Sequence, residues 1–474
     1  MEPRKTGRLS EMARLRAAIY ALPRCNNLGL QTLLKVRIPY QQPATPRRRG
    51  MNLLYNAYEL QRSFLSGASA WASVVAEVMT NPAMPTAHLG IGPIMASALD
   101  VFAHAAMPRG KPTFEIETVT VDGQTHAVTE AIVVHKPYGN LLRFTHDGLP
   151  ADAPRLMIVA PMSGHYATLL RGTVARMAER AVVYITDWAD AKLVPTSAGR
   201  FDLDDYIDYL IGYLEHIGPG AHMLAVCQPS VPAYAAAAVM GAAKHPCRPM
   251  TLTMMGGPVD TREAPTSVND VAITRPLSWF EHNVIATVPL HYPGAGRKVY
   301  PGFLQLAGFM SMNLQSHLMS HWQMFRHLVD GDGESADSSK AFYEEYRSVC
   351  DMTAEFYLQT IEHVFQKHSL PKGEFVHRGK PIDLSAITDT ALLAVEGERD
   401  DISGIGQTRA SLKLATHLPD THKRYLLAEG VGHYGIFNGS KWRNRIAPVV
   451  EEWMAQHGTR DADESKPRGL KAVK

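Results

Sequence analysis

The chain has 474 residues, a formal net charge of +2, 45% hydrophobic and 20% charged residues. This hydrophobic fraction excludes global disorder, and the length suits several domains or one α/β core with a large insertion. Four cysteines in so long a chain argue against a disulfide framework and for a reducing compartment.

The charge is distributed unevenly along the chain. Residues 1–50 hold eleven Lys or Arg and two Glu, and the remainder is mildly acidic. That remainder lacks the basic patches expected of a nucleic-acid-binding protein. We expect residues 1–50 to form a disordered basic extension and residues 457–474 a disordered tail.

The first predicted elements are a helix and a hairpin. Apolar residues recur at helical spacing over 51–80 and predict an amphipathic helix. Residues 113–120 and 126–134 alternate in polarity around Asp122-Gly123, a pattern typical of a β-hairpin, and residues 141–146 add a third strand.

From residue 154 the pattern becomes short apolar strands that alternate with helices. The predicted strands are 155–160, 181–186, 223–226 and 251–255. This alternation is typical of a parallel sheet with right-handed crossovers. The stretch 217–243 lacks Asp, Glu, Lys and Arg, but its Pro and Gly content favours a strand–turn–helix unit over a membrane span.

The alternation stops after Pro258 and resumes near Thr390, a gap too long for a crossover. We therefore expect an α/β-hydrolase fold, a mostly parallel sheet flanked by helices, with core parts at 51–258 and 386–456. Residues 259–385 would form a large, mainly helical cap inserted before the strand near 390–395, which is the strand expected to carry a catalytic acid at its end. Met and aromatic residues cluster at 303–325, either as the cap's own core or as a channel for a hydrophobic polymer.

A candidate nucleophile follows the strand 223–226. No G-x-S-x-G occurs, but Cys227 stands in Ala225-Val226-Cys227-Gln228-Pro229, before an Ala-rich helix. A sharp strand-to-helix turn would project the thiol above the sheet, where the helix N-terminus favours a thiolate. Taken alone, an apolar Cys is more often an inert core residue.

An acid and a histidine follow later strands in the chain order of α/β hydrolases. Asp400 ends a G-x-x-D turn that follows the strand near 390–395, and Asp401 is its alternative. His433 follows the last predicted strand between flanking glycines. The backbone N–H groups of Gln228 and Met162 are the predicted oxyanion donors.

Several segments resemble the intracellular poly(3-hydroxybutyrate) depolymerases, a family of cysteine-dependent hydrolases. They are AVCQPSVP (225–232), MMGGPVDTR (254–262), YPGFLQLAGFMSMN (300–313), TAEFYLQT (353–360), VEGERDDISGIGQTRA (395–410) and EGVGHYGIFNG (429–439). The likeness spans about 51–454 and implies Cys227 as nucleophile, His433 as base and Asp400 as its orienting acid.

The resemblance also implies what the protein does and where. It implies hydrolysis of a storage polyester to 3-hydroxybutyrate or oligomers, in the cytoplasm and at the granule surface. It implies no cofactor and no metal; the pair His317 and His321 lacks the Glu of a zincin helix. No nucleic acid or transmembrane segment is expected, and a homo-oligomer is compatible with the sequence.

Three other functions stay open. A polyester synthase-like acyltransferase would also use Cys, Asp and His, but Ala225 and Pro229 break the G-x-C-x-G pattern of that group. A non-catalytic granule-binding protein would keep the scaffold with an inert thiol. A small-molecule esterase or thioesterase is the third.

Overall fold

The computed structural model describes residues 48–80, 95–100, 103, 110–312 and 348–458. The predicted extension and tail lie almost wholly outside these residues, as do His317, His321 and most of the cluster at 303–325. The helix predicted to begin at Met51 begins at Arg48 instead.

A nine-stranded sheet forms the centre of the molecule. Its strands are β1 (Thr118–Val121), β2 (Gln124–Lys136), β3 (Gly139–His146), β4 (Arg155–Val159), β5 (Val182–Trp188), β6 (Ala221–Val226), β7 (Thr251–Met255), β13 (Ala391–Gly397) and β14 (Lys423–Ala428). Their order is β1-β2-β3-β5-β4-β6-β7-β13-β14. β1, β2 and β3 pair antiparallel, β3 pairs antiparallel with β5, and all later pairings are parallel.

This strand order confirms the α/β-hydrolase fold. β4, β6, β7 and β13 are apolar and buried along nearly their whole length, because helices cover both faces of a parallel sheet. Because β6, β7, β13 and β14 are parallel neighbours, their carboxyl ends lie side by side along one edge of the sheet. Loops at that edge carry the ligands in open α/β sheets.

The helices of the core alternate with these strands. They are α1 (Arg48–Thr80), α2 (Arg171–Ala178), α3 (Leu203–Ile217), α4 (Ser230–Ala242), α9 (Ala410–Leu414), α10 (Gly439–Lys441) and α11 (Ala447–Gln456). A capping box between Asp202 and Asp205 starts α3. The charge-free stretch 217–243 contains β6 and α4, as predicted, and among the described residues no helix is long and apolar enough to cross a membrane.

The segment between β7 and β13 combines helices with small sheets. Its elements are α5 (Ser267–Thr274), α6 (Leu277–Asn283), β8 (Ala286–Thr287), β9 (Lys298–Tyr300), α7 (Gly302–Met312), β10 (Met352–Thr353), α8 (Ala354–Thr360), β11 (Val376–His377) and β12 (Lys380–Pro381). β8, β9 and β10 form a three-stranded antiparallel sheet that the sequence did not predict, because strands of two or three residues leave no periodic signal. The division of the chain into core, cap and tails stays a prediction.

Helix α1 lies against this segment. The Asn52 side chain accepts a hydrogen bond from the Thr287 backbone N–H at 2.8 Å, and Tyr58 stacks on Phe303 with ring centroids 4.2 Å apart. The buried Tyr55 hydroxyl donates to Asp351. One face of α1 is therefore fixed to the body of the protein.

Candidate active site

Cys227 lies at the turn between β6 and α4. Its backbone φ is +66°, a left-handed conformation that is costly for a residue with a side chain. The Cys227 N–H donates to the Met255 carbonyl at 2.7 Å, and its carbonyl accepts from Ser230 N–H at 3.0 Å. These bonds hold the sharp strand-to-helix turn of a nucleophile elbow, with Ala225 and Pro229 in place of the usual glycines.

His433 lies next to Cys227 and to Asp400. His433 Nδ1 donates to Asp400 Oδ2 at 2.7 Å, and the imidazole also shares a hydrogen bond with Cys227. The other carboxylate oxygen of Asp400 accepts from the backbone N–H groups of Ile402 at 2.9 Å and Ser403 at 2.8 Å. Asp401, the alternative acid, is exposed and does not occupy this position.

The charges of Cys227 and Asp400 favour the protonated form of the His433 imidazole. Burial lowers the pKa of His433, but the negative charges of Cys227 and then of Asp400, with their hydrogen bonds, raise that pKa well above its ordinary value of 6.5. A protonated imidazole beside a thiolate is the arrangement in which a cysteine attacks a carbonyl without first losing a proton.

The two predicted oxyanion donors also adjoin each other. The Met162 N–H donates to the side-chain oxygen of Gln228 at 3.2 Å. An acceptor atom therefore already occupies this N–H, next to the thiol. Met162 could serve as an oxyanion donor only after the Gln228 side chain has moved away from this N–H.

Gly256 is a residue of the site to which the sequence analysis assigned no role. Its φ is +58°, and a Cβ atom there would lie 2.6 Å from Ile436 and 3.2 Å from both Asp400 Oδ2 and His433 Cε1. Only glycine leaves room for the carboxylate–imidazole pair at the end of β7. The sequence signal was the Gly256-Gly257 pair directly after an apolar strand.

Glu396 is a second residue that sequence reasoning missed. It is buried near the end of β13, where its carboxylate accepts from the backbone N–H groups of Gly406 at 2.9 Å, Thr408 at 2.8 Å and Arg409 at 2.9 Å. The Tyr425 hydroxyl donates to the same carboxylate at 2.8 Å. Glu396 thus fixes the loop that carries Asp400, although it touches none of the reacting groups.

A largely apolar cavity of about 430 Å³ opens onto the thiol. Its lining includes Met162, Cys227, Gln228, Phe280, Tyr357 and Ile361. Among the described residues, the aromatic lining comes from α6, β9, α8 and Phe365. Most of the cluster at 303–325, considered above for a polymer channel, lies outside the described residues. Such a cavity suits an apolar acyl chain with few polar groups.

With the fold and this geometry established, the chain is an α/β hydrolase in architecture. Residues 256–458 match the family model described as "PHB de-polymerase C-terminus". The matched region includes Gly256, Asp400 and His433 and begins after Cys227, so the match relates the insertion and the acid–imidazole half of the site to that family.

A curated relative is a poly(3-hydroxyalkanoate) polymerase subunit, PhaC, of Synechocystis sp.. It is 26% identical over 106 residues, which are 22% of this chain and 27% of the polymerase. The matched part thus spans about a quarter of that protein's length.

Solved structures with a similar chain path include a putative lipase from Acinetobacter baumannii and a monoacylglycerol lipase from Paleococcus ferrophilus. The first has a TM-score of 0.38 at 11% identity over 69% of this chain and 93% of the lipase. The second has a TM-score of 0.39 at 12% identity over 67% of this chain and 99% of the lipase. The fold assignment rests on the strand order given above.

Proposed function

We propose that this protein is a poly(3-hydroxybutyrate) depolymerase that cleaves the ester bonds of a storage polyester through a Cys227 thioester. The observation that carries the proposal is the left-handed backbone of Cys227, which holds its thiol beside the His433–Asp400 pair and below an apolar cavity. The match of residues 256–458 to the depolymerase family model supports the choice of substrate.

In the first half of the proposed reaction, the Cys227 sulfur attacks an ester carbonyl carbon. The carbonyl oxygen gains negative charge and accepts hydrogen bonds from the Gln228 and Met162 N–H groups, once the Gln228 side chain has vacated the latter. The carbon–oxygen ester bond then breaks. The departing alkoxide takes the proton of the His433 imidazolium, which leaves a thioester on Cys227.

In the second half, water attacks the thioester while neutral His433 accepts its proton. The thioester has no negative charge on sulfur, so the foremost cause that raises the pKa of His433 is absent at this stage. The same imidazole can therefore act first as an acid and then as a base. Breaking the carbon–sulfur bond frees a 3-hydroxy acid or an oligomer and restores the thiolate.

The proposal includes the setting of the reaction. A cytoplasmic enzyme at the polyester granule surface would meet its substrate there, and the chemistry described for these side chains needs neither a metal nor an organic cofactor. Chain-length preference would be set by the aromatic lining of the cavity, in particular Phe280 and Tyr357.

A polyester synthase-like acyltransferase is the second candidate, favoured by the segment similar to a polymerase subunit. The same thioester would then pass to the hydroxyl of a growing chain instead of to water. Pro229, where synthases of the G-x-C-x-G pattern have glycine, favours the depolymerase.

The test compares wild type with Cys227→Ala on amorphous polyester granules, with released hydroxy acids measured. We expect release by the wild type and none by the variant. Coenzyme A release from 3-hydroxybutyryl-CoA without granule hydrolysis would instead identify a synthase. Failure of both reactions, with slow alkylation of Cys227, would identify a non-catalytic granule protein. Hydrolysis of short esters alone would identify a small-molecule esterase.

A further inference from the structure

The outer face of helix α1 carries an apolar stripe that no described residue covers. Its large members are Leu53, Leu60, Phe64, Trp71, Val74 and Val78, which are 43% to 76% exposed. The opposite face, with Tyr55, Ser69 and Ala72, is buried. The helix is thus apolar outward as well as inward, which a surface helix of a monomer does not need.

The spacing of this outer stripe identifies the kind of partner it fits. With Ala57 and Gly67 included, the positions are 53, 57, 60, 64, 67, 71, 74 and 78, alternate steps of four and three residues. This is a heptad seam, the narrow stripe by which one helix packs against another, and it differs from the broad apolar face of a helix lying on a lipid surface.

We infer that α1 pairs antiparallel with α1 of a second copy of this chain. In an antiparallel pair centred between Phe64 and Gly67, large side chains meet small ones: Phe64 lies over the partner's Gly67, and Ala57 lies against the partner's Val74. In a parallel pair, each seam position would face the same position of the partner. Phe64 would then meet Phe64 and overfill the space, whereas Gly67 would meet Gly67 and leave a void.

The positions beside the seam are compatible with this arrangement. They hold one charged residue, Glu77, which falls opposite the partner's Asn56. Leu54 falls opposite the partner's Val75 and extends the apolar contact. Burying six large side chains removes on the order of 100 Å² apiece, or on the order of 1,200 Å² for the pair, the lower end of stable specific interfaces.

The body of the protein holds α1 in place for such a contact. The Glu59 carboxylate lies 3.6 Å from Lys192 Nζ, the Tyr292 hydroxyl donates to Glu59 at 2.9 Å, and Tyr55 is buried. The helix is therefore ordered before it meets its partner, so that pairing costs little conformational entropy. A two-fold, self-complementary interface follows from the antiparallel arrangement.

The experiment is sedimentation velocity on the full chain over a range of concentrations. We expect a monomer–dimer equilibrium whose Kd rises by about tenfold or more in Phe64→Glu and in Trp71→Glu. Ile132→Glu adds the same charge at an exposed apolar side chain on β2, outside α1, and should leave the Kd unchanged. Because these side chains are exposed in the single chain, the melting temperatures of all three variants should match the wild type at concentrations well below its Kd, where every chain is monomeric.

Orientation is tested by charge exchange. Leu60→Lys and Trp71→Glu should each weaken the dimer, whereas the double variant should recover it, because position 60 of one copy faces position 71 of the other only in the antiparallel pair. A double variant that stays as weak as the singles would overturn the antiparallel pair. A monomeric wild type would overturn the proposal, as would a wild type that floats with phosphatidylglycerol-containing vesicles through Phe64.

Discussion

Two cysteines near the cavity side of the sheet have opposite surroundings. Cys227 has a left-handed backbone at a strand end, contacts an imidazole and opens onto the cavity. Cys350 is fully buried next to β10, where its thiol donates to the His165 carbonyl at 3.7 Å. Burial and then the carboxylates Asp190 and Asp351 raise the pKa of Cys350 well above 9.0.

The two thiols differ in the charges that surround them. Around Cys227, the His433 imidazole contacts both the sulfur and the Asp400 carboxylate, and negative charge on either group raises the pKa of that imidazole. Around Cys350, burial and the negative charges of Asp190 and Asp351 oppose a thiolate, and the positive charges of Lys192 and Lys111 offset them only in part. Cys227 is only partly buried and Cys350 is buried, and the charges next to the two thiols differ as well.

The largest expected effect is the difference in activity between the two cysteine-to-alanine variants. Cys227→Ala should lower polyester hydrolysis at least about 10⁴-fold, because no covalent intermediate can form. Cys350→Ala should retain activity and lose about 1–2 kcal/mol of stability through a small cavity. Hydroxy-acid release and thermal melting measure the two effects. Normal hydrolysis by Cys227→Ala would remove the nucleophile assignment.

The second-largest effect is expected at Asp400, the acid that contacts His433. Asp400→Asn should reduce kcat by about 10³- to 10⁴-fold, because an amide neither stabilises the imidazolium nor fixes its orientation. Asp401→Asn is the matched control, since it changes an exposed carboxylate one residue away and should have little effect. Steady-state kinetics on a soluble oligomer measure kcat for both variants. A larger loss of kcat in Asp401→Asn than in Asp400→Asn would assign the acid to Asp401.

A smaller effect is expected from the residue that fixes the acid loop. Glu396→Gln replaces one acceptor oxygen by an amide that faces backbone donors, which should cost about 2–4 kcal/mol of stability. Glu429→Gln, which changes an exposed carboxylate after β14, is the control. Chemical denaturation of both variants measures the difference, and equal midpoints would show that Glu396 does not hold the loop.

The sequence predicted the parts of this arrangement that leave local signals. Apolar runs located β4, β6, β7 and β13, and the order of Cys227, Asp400 and His433 after successive strands predicted that they would meet. Gly256 and Glu396 escaped notice because their roles depend on groups distant in sequence, such as Tyr425. The strands of two or three residues in the insertion were not predicted, because their pairing partners and not their residue pattern define them.

The last prediction concerns the titration of His433 itself. Because the thiolate of Cys227 is the foremost cause that raises the pKa of His433, Cys227→Ala should lower that pKa, while Cys350→Ala should not. The wild-type imidazole should then stay protonated at a pH at which the variant imidazole is neutral, and NMR titration of its ring protons measures this. An unchanged pKa in Cys227→Ala would mean that the thiol and imidazole do not share charge, and the contrast with Cys350 would lose its electrostatic basis.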